Sequence, residues 1–159
     1  MENYQKQADA AKAEGYVCIV GALIVNDNNE IFVQKRSADR SLFPNCWDIV
    51  GGHVEEGETL EEATSRETAE ETGWSVEKLG KLVDIRDWET SEGQKHKEFI
   101  FLVNIDGDLE KPVLEEGKVS EGRWIAPSDV EVLLENRDPG DTHIYDIVNS
   151  GFETMKTKR

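Results

Sequence analysis

Apolar positions along this chain follow two different periods. Residues 16–25 form a nearly unbroken apolar and β-branched run, closed by the turn signal Asn26-Asp27-Asn28-Asn29. Residues 31–34 then read as the hairpin partner of that run, and Lys35-Arg36 ends it. A loop over 37–45, with Pro44 near its end, leads into a short strand over 47–50. Residues 76–88 carry a further strand centred on 82–85, Ser91-Glu92-Gly93-Gln94 reads as a hairpin tip, and 98–105 returns as a strand rich in Phe, Ile, Leu and Val. A polar loop over 110–120 precedes a last short strand over 122–126. The period then changes. Pro127-Ser128-Asp129 opens a helix through about 136, and Ile144, Ile147, Val148 and Phe152 fall on one face of a C-terminal helix within about 140–157. Residues 1–14 read as a short extra helix or an arm. Strands and helices are mixed without regular alternation, which predicts an α/β protein with a mixed sheet and helices on both faces.

Between the strand at 47–50 and the strand at 76–88 lies a segment of a different kind. Thr59-Leu60-Glu61-Glu62 fits a capping box, and Gly73 fits the left-handed residue that closes a helix. The apolar content between these caps is thin, so burial alone does not explain the sequence. Glu67, Glu70 and Glu71 stand at i, i+3 and i+4 on one helix face. Like charges at that spacing repel by a few tenths of a kcal/mol, where a Glu-Lys pair would gain about as much. Acid-rich helices are ordinarily solvated surface, and this one has to be set against that reading. Three features argue for a site: Gly51-Gly52 and Gly57 ahead of the helix, Glu58 at the loop end, and Arg66 beside Glu67. Carboxylates converging on one point suit a hard divalent cation.

At these residues the chain resembles the Nudix family, whose box reads Gly-x5-Glu-x7-Arg-Glu-U-x-Glu-Glu-x-Gly-U, with U a bulky apolar residue. Gly52, Glu58, Arg66, Glu67, Glu70, Glu71, Gly73 and Trp74 match. Thr68 stands where the first U is expected, and Val50-Gly51-Gly52 replaces the common Pro-Gly-Gly. The resemblance implies one α/β/α sandwich domain over residues 1–159, with the box helix over a mixed sheet. It implies hydrolysis of a diphosphate linkage in a nucleoside diphosphate derivative, with Mg2+ or Mn2+ as cofactor. By the same resemblance Gly52 (through its carbonyl), Glu67, Glu70 and Glu71 are the metal ligands. Glu67 also helps deprotonate water, Arg66 orients Glu67, and Glu58 supports the site.

The general base is open in such a family. Glu121, just ahead of the last strand, resembles an acidic position often found there, with Glu98, Glu115 and Glu116 as rivals. Lys35 and Arg36 are the candidate phosphate-binding residues. Arg86, Lys95, Lys97 and Arg123 are further cations, each ordinarily a surface charge. Trp47, Trp88, Phe43 and Phe99 could stack on a base or belong to the core. His53 and His96 read as structural.

Composition narrows the partners. The chain has 159 residues and a formal net charge of −16. Such a field disfavours a nucleic-acid polymer and an anionic membrane as partners. It also repels a phosphorylated substrate, which therefore needs metal ions or local basic residues. No apolar run approaches the roughly 20 residues of a membrane span. Cys18 and Cys46 lack metal-ligand spacing and point to a reducing, cytoplasmic setting. A homodimer is the common family state. Two alternatives remain: a catalytically inactive nucleotide-binding module, and an isomerase like those acting on isopentenyl diphosphate. The isomerase is disfavoured, because its cysteine would fall at Gly51.

Overall fold

The computed structural model describes residues 3–157; residues 1, 2, 158 and 159, within the expected arm and domain ends, lie outside it. Helix α1 (Asn3–Ala13) occupies the N-terminal segment. It buries Ala8 and Ala11 against the sheet, and Tyr4 meets Phe101 edge-on at 5.0 Å.

Strand β1 (Val17–Ile24) is apolar on both faces, so it is a central strand and takes partners on both sides. It pairs antiparallel with β4 (Val50–His53) and parallel with β6 (Lys95–Asp106), which in turn pairs antiparallel with β5 (Ser75–Glu89). The four form a mixed sheet in the order β4-β1-β6-β5. The expected hairpin between β1 and residues 31–34 shrinks to a single bridge, Val25 to Ile31. Beyond it β2 (Ile31–Arg36) turns away and pairs with β3 (Trp47–Asp48) and β7 (Val119–Ile125) in a second, antiparallel sheet. With β1 saturated by β4 and β6, β2 has to find its partners elsewhere.

The expected strand at 47–50 is split for the same reason. Trp47 and Asp48 belong to the second sheet, Val50 onward to the first, and the chain crosses between them at Ile49. The last strand starts at Val119, inside the expected polar loop. The expected helix after Pro127 is a 3-10 run, Pro127–Leu134, and α3 (His143–Lys156) closes the chain.

Helices lie on both faces, giving the α/β/α sandwich. One core holds Val20, Leu60, Ala63, Phe99 and Phe101 beneath α1 and the box helix α2 (Leu60–Thr72). The other holds Leu23, Ile100, Ile147 and Phe152 beneath α3. No described helix is long and apolar enough to cross a membrane. Cys18 and Cys46 are buried free thiols.

Candidate active site

Helix α2 starts as its local chemistry dictates. Thr59 Oγ1 accepts from the Glu62 amide at 3.1 Å, and Glu62 returns the bond to the Thr59 amide at 3.0 Å. Gly73 closes it at φ 78°, a left-handed conformation that favours glycine. The inner face is lined by Leu60, Ala63, Thr64, Thr68 and Thr72. Thr64 and Thr72 donate their hydroxyls back along the helix, to Leu60 O and Thr68 O. Thr68, at the position expected to be bulky and apolar, is fully buried, and its hydroxyl has no partner among the described residues.

With threonines inward, the acids face the gap between the two sheets. Arg66 organises half of them. Its Nε and Nη2 fork onto Glu58 at 2.6 and 3.0 Å, while Nη1 reaches Glu67 at 3.1 Å and Glu70 at 3.3 Å. Nη2 also donates to the His53 carbonyl at 3.0 Å. The fork holds Glu58 below the usual carboxylate range, helped by the Glu55 amide, and raises Arg66 further.

Glu71 sits differently. Gln34 Nε2 donates to it at 2.7 Å and the Gly51 amide at 3.4 Å, and among the described residues no cation touches it. Burial, then the hydrogen bond and charge of Glu67, push it up to about 9. The neighbouring Glu67 carboxylate and burial thus favour the protonated form of Glu71. The buried Gln34 Oε1 has no partner among the described residues. Gly52 lies against the Glu67 carboxylate so closely that a Cβ there would collide with it.

These groups border a cleft of about 420 Å³. Gly52, Arg66, Glu67, Glu70 and Glu71 line it, and Arg36, Arg40 and Lys118 add cations. Arg36 is 3.7 Å from Asp48, and burial raises the Asp48 carboxyl. Glu115, from the loop before β7, also lines the cleft and is 3.5 Å from Lys118.

Other candidates lie elsewhere. Lys35 is opposite both Trp47 and Glu121 in the second sheet, with its Nζ 5.8 Å from the Trp47 ring centroid. Alternation along β2 puts Lys35 and Glu121 on the face away from Gln34, so neither lines the cleft. Arg86 and Lys97 pair with Asp84 and Asp87. Glu116, Lys95 and Arg123 do not line the cleft. Trp47 and Phe99 are core residues, whereas Phe43 and Trp88 are exposed. Sequence reasoning missed Gln34, Arg40, Asp48 and Lys118, which carry no motif and reach the cleft only through sheet pairing.

The donor set of carboxylate and carbonyl oxygens fits a hard divalent cation. Among the described residues no three acids converge as they stand. Glu70 is turned toward Arg66.

The NUDIX domain model matches residues 16–146. A Nudix hydrolase of Deinococcus radiodurans is 32% identical over 114 residues, covering 70% of this chain and 64% of its own. A nucleoside triphosphatase, NudI, of Escherichia coli is 34% identical over 122 residues, covering 70% of this chain and 83% of its own. The crystal structure of a MutT protein from Methanosarcina mazei Go1 shares the fold, with a TM-score of 0.69 at 24% identity over 90% of this chain and 96% of that one. The chain therefore belongs to the Nudix family and is a hydrolase of pyrophosphate linkages.

Proposed function

We propose that the protein hydrolyses the diphosphate linkage of a nucleoside diphosphate derivative, of the nucleoside triphosphate or nucleotide sugar class, with Mg2+ or Mn2+. The observation that carries this is the wall of the polar cleft, where Glu67, Glu70 and Glu71 stand beside Gly52 and Glu71 meets amide donors but no cation among the described residues. Glu67, Glu70, Glu71 and the Gly52 carbonyl would hold the cation. When bound, it supplies neutralisation of phosphate oxygens and polarisation of the attacking water.

The chain's own residues do the rest. Arg66 fixes Glu67 and frees no proton itself. Glu58 anchors Arg66 rather than touching substrate. Arg36, Arg40 and Lys118 offset the negative field where phosphates enter. Glu67 or Glu115 takes the proton of the attacking water as the anhydride P–O bond breaks. Glu115 is preferred to Glu121 because it faces the cleft.

Nucleoside triphosphates, deoxynucleoside triphosphates, nucleotide sugars and dinucleoside polyphosphates would be incubated with Mg2+ or Mn2+, and phosphate or pyrophosphate release measured. The reading expects turnover that disappears with chelator and in Glu71→Gln. No turnover on any of them, with cation binding intact, would favour a binding module.

A further inference from the structure

One row of side chains crosses the first sheet beside the cleft: His53 opposite Ile19, Ile19 opposite Glu98, Glu98 opposite Arg86. In the neighbouring row His96 stands opposite Trp88, and their rings stack at 4.0 Å with 4° between planes. Alternation places His53, His96, Glu98 and Trp88 on the same face. His53 lines the cleft, and its ring is 6.5 Å from that of His96. His96 is buried, so Trp88 is the exposed member of this stack.

Glu98 is only 7% exposed. Its Oε1 accepts from Trp88 Nε1 at 3.3 Å and meets His143 Nε2 at 2.9 Å. A carboxylate oxygen accepts from a ring nitrogen, so this contact is a hydrogen bond in the tautomer with hydrogen on Nε2. Both donors fall on one oxygen. Oε2 has no hydrogen-bond partner among the described residues and is not sealed from solvent. Oε2 is therefore an acceptor open to a ligand, and nothing in the proposed hydrolysis uses this group.

We propose that Glu98 reads the base of the nucleotide, and that this base is guanine, lying on the exposed Trp88 ring with its N1–H and N2–H donors toward the open Oε2 of Glu98. This rests on the reading of the cleft as a nucleotide pyrophosphohydrolase site. Stacking on an aromatic ring tolerates any base, so selectivity has to come from the acceptor. Guanine offers two adjacent donors to an acceptor-only group. Adenine and cytosine place an acceptor beside their amino group, and uracil flanks its one N–H with carbonyls, so each sets a lone pair against the carboxylate.

The test is calorimetric binding of GDP, IDP and ADP with Mg2+ to the full chain and to Glu98→Gln and Trp88→Ala. GDP is expected to bind wild type at least about ten-fold more tightly than ADP, with IDP, lacking the amino group, between them. Glu98→Gln should bring GDP and ADP within about two-fold of each other. Trp88→Ala should weaken all three and keep their order. Equal affinity of the wild type for GDP and ADP would overturn the proposal, as would a guanine preference that survives Glu98→Gln. If Glu98→Gln fails to fold, the order of affinities in wild type and Trp88→Ala still decides. Hydrolysis of any nucleoside triphosphate by the wild type would show that the reading of the cleft stands even when base selection fails.

Discussion

Glu58 and Glu71 lie at opposite ends of the same acidic surface and behave in opposite ways. Glu58 has its cation built in, as both of its oxygens are bound by Arg66, and it is held below the usual carboxylate range. Glu71 has only amide donors and a like charge beside it, and it is pushed up to about 9. The protein thus supplies a counter-charge where a carboxylate serves as scaffold. It withholds one where an external cation is to enter. An Arg or Lys beside Glu71 would settle that pair electrostatically and close the site.

Removing the charge at the open end should have the largest consequence. Glu71→Gln is expected to lower kcat by about 10³-fold, the equivalent of roughly 4 kcal/mol of lost transition-state stabilisation. Steady-state hydrolysis with saturating Mg2+ reads this directly; a loss under ten-fold would remove Glu71 from the ligand set. At the closed end Arg66→Lys keeps the charge but loses the two-pronged grip on Glu58. A fall of about 10- to 100-fold in activity or metal affinity is expected, the range for residues that orient ligands. Unchanged kinetics would mean that the fork is dispensable.

The same contrast has a pH signature in the metal-free protein. The folded-state value of Glu71 lies above its ordinary 4.5. Its contribution to stability is therefore full below about 4.5, declines as pH rises toward about 9, and is then lost. Glu58 is shifted down, so its contribution is present above its ordinary value and lost as pH falls through the folded one. Urea midpoints of wild type against Glu71→Gln and Glu58→Gln, taken across this range, should diverge with opposite slopes. Parallel curves would erase the distinction between the two ends. The smallest effect is expected behind the site. Thr68→Val removes a buried hydroxyl without a partner and should stabilise the fold by about 1 kcal/mol in thermal or urea unfolding, with activity retained.

The scaffolded half of the site was legible because its information is local. Glu58, Arg66 and the acids of α2 lie within a few turns of one another, and capping chemistry fixes where those turns begin and end. Gln34 and Lys35 show where local reading stops. Both are polar residues at a strand end, and strand parity allows only one to face the cleft. The split into two sheets settles that parity, and it depends on β1 finding β4 and β6 rather than β2. Sequence favoured the cations Lys35 and Arg36; the fold turns Arg36 to the cleft together with Gln34, and Lys35 away from it. Glu121 follows Lys35 to the other face because the two are cross-strand partners. Glu98 has the same difficulty in a stronger form, because its partners come from a neighbouring strand and from α3.

The measurement that bears most directly on the central claim is calorimetric titration of Mg2+ or Mn2+ near pH 7.5, in buffers of different ionisation enthalpy. If the Glu67–Glu71 pair holds a proton in place of a cation, each bound ion should release roughly one proton, and Glu71→Gln should abolish the release. Cation binding with no proton release, or release that persists in Glu71→Gln, would contradict the account.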